Sequence, residues 1–583
     1  MPSNLIRSTS QQRASAAVLF VSALLAAACS GPVGRPAATP EPAAARPVRA
    51  AHGMVVSANP LASRAGIEVL KRGGNAVDAA IATGFALAVT HPTAGNIGGG
   101  GFMVIRFPDG RATAFDFREK APLAAHPEMF LDEAGEYSYE RHHASHLAVG
   151  VPGTVAGFAL AHERYGNAAW ADLVQPAVDL AADGFAITPA LARSMAAVLP
   201  RMAPYPASVA KFSKDGEPYD AGEIFRQPDL ARTLERIRDH GRDGFYRGET
   251  AHLIAAEMER GGGLITEEDL ARYQAKERTP IRGTYRGYDV IGMPPPSSGG
   301  IAIVEMLNIL EGYDLSAMGH NSPVYIHHLA EAMRRAYRDR ARYLADTDFA
   351  EVPIEHLTSK PYAAELRATI DPKRATPSAP EDVALAHESR QTTHYSVVDA
   401  NGMAVAVTYT LEQGYGSKIV VPGAGFLLNN EMGDFNAAPG MTTTDGRIGT
   451  GPNLARPEQR MLSSMSPTIL AKDGELVAVV GSPGGRTIIN TVLQVVLNVI
   501  DFHMNIQEAV NAPRIHHQWL PDRISIEADG VAPDVVAALE GMGHTVRMGG
   551  RQGSAHCIMI DPATGERLGA PDPRDADGAA VGY

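Results

Sequence analysis

Residues 391–403 read Gln-Thr-Thr-His-Tyr-Ser-Val-Val-Asp-Ala-Asn-Gly-Met, and the alternation of polar and apolar residues continues to Thr410. Such alternation on either side of an Asn-Gly turn signal predicts two half-buried strands in a hairpin, with Thr392 at the start of the first. If the bond between Gln391 and Thr392 is cut, the freed α-amine lies within hydrogen-bond reach of the Thr392 hydroxyl. Nucleophile and base would then share one residue. The alternative is an ordinary hairpin with threonine on its exposed face.

The segment before this hairpin favours cleavage. Residues 368–390 are rich in Pro, Ala and Glu and show no sustained period, which is typical of a linker. Self-processing requires a loose segment that brings a cleavable bond to a strand start, whereas a plain hairpin does not need one.

Composition places the chain among large globular proteins. It has 583 residues, of which 45% are apolar and 20% charged, so it can bury a large core. The net charge of −13 is spread along the chain, and no basic tract offsets it. We therefore expect no nucleic-acid partner.

The N-terminus has the pattern of an export signal. Arg7 and Arg13 precede an apolar segment that ends in Ala-Ala-Ala before Cys29. Residues 1–28 are predicted to be a signal peptide of the lipoprotein type, with lipid attached to Cys29, and residues 29–52 a Pro/Ala-rich tether. The product would be periplasmic and would touch the membrane only through this anchor. The alternative is a plain signal peptide and a soluble exported protein.

Hydrophobic periodicity predicts the elements before the linker. Residues 96–102, Asn-Ile-Gly-Gly-Gly-Gly-Phe, lack the Lys-Ser/Thr of a phosphate loop and open a strand, so we interpret them as closely packed backbone. The charged run at 331–342 is predicted to be a solvated helix face. The predicted strands are 54–57, 102–107 and 112–117, and the predicted helices are 60–72, 75–91, 154–164, 173–183, 230–240, 249–261 and 301–310.

Three later features bear on chemistry. Gly484 and Gly485 precede an apolar helix predicted at 486–502, where backbone N–H groups could hold an oxyanion, although a simple strand-to-helix turn has the same pattern. Residues 437–460 form a long, turn-rich loop and a candidate lid. Arg118, at a strand end, could be a surface ion pair or a carboxylate clamp. The adjacent histidine pairs lack the spacing of zinc ligands, so we predict no metal.

Several of these motifs, in this order, resemble γ-glutamyltranspeptidases. They are residues 96–102, 116–122, 151–153, 295–300, 391–399, 428–431, 462–467 and 481–485, and the similarity extends over nearly everything from residue 53 to the end. The resemblance implies an α+β fold, the four-layer αββα sandwich of N-terminal-nucleophile hydrolases. It also implies a precursor that cuts itself between Gln391 and Thr392 into entwined subunits, 53–391 and 392–583, and needs no cofactor.

The resemblance also assigns roles to individual residues. Thr392 matches the nucleophile, Thr410 the hydroxyl that bonds to it, and Gly484 and Gly485 the oxyanion hole. Residues that match the clamp for the substrate α-carboxylate are Arg118, Ser463 and Ser464. Those that match the α-amine site are Glu431 and Asp434, and Glu412 is a further candidate substrate-binding residue.

This sequence departs from the family pattern in three places. Position 412 is Glu where many similar bacterial members have Asn, and Glu431 stands where some have Gln. Both still accept a hydrogen bond from an ammonium group, so the departures bear on affinity and pH response. The 437–460 loop lacks the tyrosine expected as a gate.

The resemblance implies transfer of the γ-glutamyl group of glutathione and related amides to water, amino acids or dipeptides. The alternatives are a relative acting on another amide, such as a cephalosporin side chain or poly-γ-glutamate, and an inactive lipoprotein that only binds peptides.

Overall fold

A computed structural model describes residues 45–379, 392–441 and 450–583. The predicted signal peptide, Cys29, most of the tether and Gln391 lie outside these residues. Within them, no helix is both long enough and apolar enough to cross a bilayer.

Most strands belong to two seven-stranded antiparallel sheets. The hairpin sheet has the order β19-β2-β10-β11-β3-β4-β7, and the second sheet has the order β1-β18-β17-β13-β12-β9-β8. The strands are β1 Val48–Ala50, β2 Met54–Ser57, β3 Gly100–Arg106, β4 Ala112–Phe117, β5 Phe185–Ala186, β6 Ile224–Phe225, β7 Lys276–Arg278, β8 Ile281–Tyr285, β9 Tyr288–Gly292, β10 Thr393–Val398, β11 Ala404–Thr410, β12 Thr468–Lys472, β13 Glu475–Val480, β14 Ile515–His516, β15 Ile524–Ile526, β16 Val546–Met548, β17 Cys557–Ile560, β18 Arg567–Ala570 and β19 Ala579–Gly582.

Helices cover the outer faces of both sheets. The helices are α1 Pro60–Lys71, α2 Ala76–Thr90, α3 Tyr139–His143, α4 Thr154–Tyr165, α5 Trp170–Asp183, α6 Pro189–Met202, α7 Pro206–Phe212, α8 Pro228–His240, α9 Asp243–Tyr246, α10 Gly248–Gly261, α11 Glu267–Arg272, α12 Gly299–Leu310, α13 Leu315–Met318, α14 Pro323–Tyr343, α15 Ile354–Leu357, α16 Lys360–Ala368, α17 Thr487–Ile500, α18 Ile506–Asn511 and α19 Pro533–Gly541. The predicted helices and strands are confirmed, with ends that differ by a few residues.

Alternate residues of the hairpin sheet face two different cores. Val56 and Val104 pack towards the second sheet, while Val55 and Ile105 pack towards α1, α2, α4 and α5. The far side of the second sheet packs against α12 and α17. The result is the four-layer αββα sandwich that the resemblance implies.

The structure confirms the predicted position of the central hairpin but not its predicted half-burial. β10 pairs with β11 around a turn in which Gly402 has φ 85°, as the Asn-Gly signal predicts. Both strands are buried on both faces, not half-buried, because helices cover one face and the second sheet covers the other.

Both sheets mix strands from the two sides of Thr392. In the hairpin sheet, β2 and β3 precede it in sequence and flank β10 and β11. Cleavage before Thr392 would therefore leave two polypeptides that share both sheets. The fold also begins before residue 53. β1 lies within the predicted tether, residues 29–52, and pairs with β18.

The charged run at 331–342 contradicts the sequence prediction. Glu331, Arg335 and Arg340 on α14 are buried rather than solvated. Glu331 accepts hydrogen bonds from Arg335 and from the hydroxyl of Thr376, so the charges are paired inside the protein. A charge run is compatible with burial when each ion has a partner.

Candidate active site

The nucleophile candidate lies at the open end of the central hairpin. Thr393 is paired with Tyr409, so Thr392 and Thr410 lie one step beyond, opposite each other. The backbone N–H of Glu412 donates to the Thr410 hydroxyl at 2.8 Å. The side-chain amide of Asn96 donates to the Thr410 carbonyl at 2.9 Å, which ties the glycine-rich segment to the site.

The glycines of that segment allow the close approach that the sequence predicted. A Cβ on Gly99 would lie 2.1 Å from the Thr410 carbonyl oxygen, and one on Gly98 would lie 2.2 Å from the Leu427 carbonyl oxygen. Backbone therefore packs on backbone directly behind the site.

One small pocket brings nearly all the predicted site residues together. Its free volume is about 20 Å³, room for roughly one water molecule. Gly484 lines an adjacent cavity instead. The pocket is lined by Arg118, Thr392, Thr410, Glu412, Glu431, Asp434, Ser463, Ser464 and Gly485, and also by Met465 and Ile488.

The charged groups of the pocket are already paired with each other. The fully buried Arg118 donates to Glu431 at 2.6 Å and also to Asp434. The resemblance places these residues at opposite ends of the substrate, so the sequence analysis did not predict that they pair directly with each other. A glutamyl head group needs more than the free volume, and admitting it requires the guanidinium and the carboxylates to separate.

Burial governs ionisation in this cluster. It opposes the charge on Arg118, but the carboxylates of Glu431 and Asp434 outweigh it and raise the pKa of the guanidinium. Burial raises the pKa of Glu431 well above its ordinary value, although Arg118 opposes the shift. It also raises the pKa of the neighbouring Glu119 to about 7, again against Arg118. Burial thus opposes the charge on Glu431 and Glu119, and the guanidinium of Arg118 favours it.

Glu412 lines the same pocket in an unusual backbone conformation. Its φ of 77° lies in the left-handed region, which turns the chain at the end of β11. One of its carboxylate oxygens is 3.4 Å from Nδ1 of His143, a buried member of one of the adjacent histidine pairs.

Ser464 is positioned by a residue that sequence reasoning missed. Arg340 donates to the Ser464 hydroxyl at 3.1 Å and to the Ser298 hydroxyl at 2.8 Å. Ser298 in turn donates its hydroxyl to the Ser463 carbonyl at 2.7 Å. Arg340 lies one helical turn after the buried Ala336, in line with the apolar stripe of α14. That position was the sequence signal that could have indicated its burial.

The paired glycines form the turn that the sequence predicted. Gly484 and Gly485 have φ of 134° and 57° and lead into α17. A Cβ on Gly484 would lie 2.5 Å from the Thr487 hydroxyl oxygen, so both conformation and space require glycine. Within the described part of the chain, neither N–H donates to a protein acceptor. The role of both amides in holding an oxyanion stays a prediction.

One cluster has the residue types of a metal site. His327, Glu331 and His544 place ligand atoms within 4.8 Å of one another. His327 Nδ1 is, however, 2.8 Å from His544 Nε2, and Glu331 is paired with Arg334 and Arg335. Hydrogen bonds and ion pairs thus use the ligand atoms, and the absence of a metal stays a prediction.

The predicted lid falls partly outside the described residues. Its ends are held, since the backbone N–H of Asn436 donates to the Asn453 carbonyl at 2.8 Å and its side chain to the Thr450 carbonyl at 2.6 Å. Near the far end, the guanidinium of the buried Arg460 is 3.2 Å from Asp116. These contacts hold the ends of the range 437–460 in this structure, and its role as a lid stays a prediction.

The comparisons with known proteins agree with this geometry. A family model described as Gamma-glutamyltranspeptidase matches residues 62–582. The glutathione hydrolase proenzyme of Escherichia coli (strain K12) is 50% identical over 97% of this chain and 98% of its own length. A cephalosporin acylase structure from Bacillus halodurans has a TM-score of 0.82 at 30% identity, covering 94% of this chain and 99% of its own. A Helicobacter pylori gamma-glutamyltranspeptidase structure has a TM-score of 0.54 at 48% identity, covering 55% of this chain and 91% of its own. From its fold, its site and these matches, the chain belongs to the gamma-glutamyltranspeptidase family.

Proposed function

We propose that this protein cleaves the γ-glutamyl amide bond of glutathione and related compounds and transfers the acyl group to water, amino acids or dipeptides. The observation that carries the proposal is the single pocket in which Thr392 faces Arg118, Glu431 and Asp434. A zwitterionic glutamyl head needs a cation at one end and carboxylates at the other. The 50% identical E. coli relative is a glutathione hydrolase proenzyme.

Processing precedes catalysis in this proposal. The Thr392 hydroxyl attacks the carbonyl of Gln391, and the acyl group moves from nitrogen to oxygen. Water then hydrolyses the ester, which releases residue 391 as a carboxylate and Thr392 with a free α-amine. That amine becomes the base for each later turnover.

Turnover uses the same oxygen. The α-amine accepts the proton of the Thr392 hydroxyl, which attacks the γ-carbonyl carbon of the substrate. Gly484 and Gly485 provide N–H groups for the developing oxyanion, an interaction that typically supplies about 3 kcal/mol of transition-state stabilisation per donor. The proton passes to the leaving amine, and water or an acceptor amine then attacks the ester.

Head-group binding in this scheme is an exchange of ion pairs. When the head group binds, its carboxylate replaces Glu431 and Asp434 as the partner of Arg118. Its ammonium group replaces Arg118 as the partner of those two carboxylates. Each buried charge keeps a partner throughout, which avoids the cost of leaving one unpaired. Ser463 and Ser464 add hydroxyl donors at the carboxylate end.

The acylase alternative has support in the structural match to a cephalosporin acylase. A pair of donors separates the two functions: γ-glutamyl-p-nitroanilide, and glutaryl-p-nitroanilide, which lacks the α-ammonium. We expect the glutaryl compound to react at least about 100-fold more slowly, because it leaves Glu431 and Asp434 without their ammonium partner. Equal or faster glutaryl cleavage would favour the acylase, and no cleavage of either donor would favour a passive peptide binder.

We also propose export to the periplasm with a lipid anchor on Cys29. The supporting observation is the sequence of residues 1–29, with two arginines before an apolar segment and small residues before the cysteine. Mass spectrometry of the mature N-terminus tests this. A lipidated Cys29 is expected, and an unmodified N-terminus at another residue would leave a soluble exported protein.

A further inference from the structure

A buried histidine contacts the Thr392 pocket from a helix to which the sequence analysis gave no role. His143 is the last residue of α3 and is 4% exposed. Its Nδ1 lies 3.4 Å from a carboxylate oxygen of Glu412. Glu412 lines the pocket and His143 does not, so the imidazole acts on the pocket only through that carboxylate. An imidazole carries a ring N–H that a carboxylate can accept, whether the ring is neutral or protonated.

Further contacts hold α3 against the turn that carries Glu412. The side-chain amide of Asn430 donates to the His143 carbonyl at 2.9 Å, and its oxygen accepts from the backbone N–H of Gln413 at 3.2 Å. The side chain of Gln413 donates to the Tyr139 hydroxyl at 3.2 Å. The Tyr139 ring also stacks on the imidazole, with centroids 4.6 Å apart. The imidazole is therefore held in one position beside the carboxylate.

The turn that carries Glu431 and Asp434 leaves room for this pair at one residue. A Cβ on Gly433 would lie 2.3 Å from Nδ1 of His143 and 3.2 Å from a carboxylate oxygen of Glu412. In a closely packed interior, any side chain at position 433 would displace the imidazole. Glycine at this position thus lets His143 and Glu412 meet next to the two carboxylates assigned to the substrate ammonium.

The pair lies among the other charges of the pocket. The guanidinium of Arg118 contacts Glu431 and Asp434. Burial raises the pKa of Glu431, and the charge on Glu412 adds to that shift, so the two carboxylates repel each other. A further buried carboxylate in such a group is stabilised by a donor of its own. His143 provides one within ion-pair distance.

We infer that His143 is a positioning residue for the ammonium end of the pocket, because it holds the Glu412 carboxylate where that group binds the α-ammonium of the γ-glutamyl donor. This inference rests on the proposed function and adds to it a residue that does not line the pocket. Without the imidazole, the buried carboxylate loses a donor that fixes its orientation. Donor binding should weaken, while attack by the Thr392 oxygen should change less.

The test is a double-mutant cycle, measured by steady-state kinetics with γ-glutamyl-p-nitroanilide. His143→Leu should raise the donor KM about fivefold or more and leave kcat within about threefold of wild type. Glu412→Asn removes the charge, shortens the side chain and suits the left-handed backbone at this position. In that background, His143→Leu should change the donor KM by less than about twofold. His143→Asn, whose side-chain amide keeps an N–H donor, should stay within about twofold of wild type.

A matched control separates another buried histidine from its carboxylate. His146→Leu removes the contact between His146 and Glu257, which are 2.9 Å apart and outside the Thr392 pocket. It should leave the donor KM within about twofold of wild type. Thermal melts establish that each variant folds. If His143→Leu does not fold, His143→Phe replaces it in the cycle, since phenylalanine keeps a ring that stacks on Tyr139.

The outcomes separate this inference from the proposed function. An unchanged donor KM in the folded His143 variant would overturn the inference, as would an equal rise with and without Glu412→Asn. In either case, release of nitroaniline by the wild type would leave the proposed function standing. Wild-type protein that releases no nitroaniline would overturn the proposed function, and this inference with it.

Discussion

Arg118 is the residue on which head-group recognition depends. Its guanidinium plane contacts Glu431 and Asp434 with two different nitrogens. It also lies 3.3 Å and 3.4 Å from the carbonyls of Met461 and Leu462, on the segment that leads to the serine pair. One planar cation therefore organises both ends of the site, which a single ammonium cannot do.

We predict that Arg118→Lys lowers kcat/KM for γ-glutamyl-p-nitroanilide by roughly 10- to 100-fold while self-cleavage continues. Lysine keeps the charge but loses the fork, at a cost of about 1.5–3 kcal/mol. Steady-state kinetics on purified protein measure the effect. Arg286→Lys, in a remote Arg–Asp pair, should behave as wild type. Wild-type kinetics for Arg118→Lys would contradict the assignment.

Among the elements, α14 has the least expected role. It presents acidic and basic side chains to the interior. One of them, Arg340, donates hydrogen bonds to Ser464 in the pocket and to Ser298 in the neighbouring turn. A helix that packs against α12 and α19 thus fixes a hydroxyl in the Thr392 pocket.

We predict that Arg340→Lys raises the donor KM about three- to thirtyfold, because lysine cannot hold Ser298 and Ser464 together. kcat should change less, since the nucleophile and oxyanion turn are not contacted. Arg342→Lys, an exposed neighbour on the same helix, is the control. Equal kinetics for the two variants would remove the positioning role of Arg340.

Local pattern predicted most elements but not how charges pair. The boundaries of α2 and β4 follow from periodicity and turn residues, which depend on near neighbours only. The pairing of Arg118 with Glu431 joins residues 313 positions apart, and no local pattern contains that information. The same holds for the burial of α14. Local pattern singled out Thr392, Arg118, Gly484 and Gly485 as candidates, and the family resemblance supplied the other site residues.

At the scale of the whole molecule, the segments before and after Thr392 meet through a partly buried ionic contact. His517, after Thr392 in sequence, lies 3.2 Å from Asp522, which pairs with Arg334 of α14. Burial and the charge on Arg334 lower the pKa of His517 to about 4, although Asp522 opposes the shift. Nδ1 of the neutral imidazole accepts a hydrogen bond from the backbone N–H of Trp519 at 3.1 Å.

We predict that stability falls as pH decreases from about 6.5 to about 4. In that window the unfolded His517 binds a proton that the folded one does not, so acid favours unfolding, by up to about 3 kcal/mol for this residue. Thermal melts of His517→Gln against pH should show a weaker dependence than wild type. The exposed His252→Gln should keep the full dependence. Parallel curves for wild type and His517→Gln would contradict the prediction.

The central claim is that one oxygen, on Thr392, both cuts the precursor and performs the reaction. The direct measurement is electrophoresis with N-terminal sequencing of purified wild type, Thr392→Ser and Thr392→Ala. Wild type should give a small chain of about 20 kDa beginning at Thr392, the share of 61.7 kDa that residues 392–583 hold. Thr392→Ser should still cut, more slowly. Thr392→Ala should remain one folded chain, with activity reduced by several orders of magnitude. Two bands from Thr392→Ala without proteases, or a wild-type small chain beginning at another residue, would contradict the account.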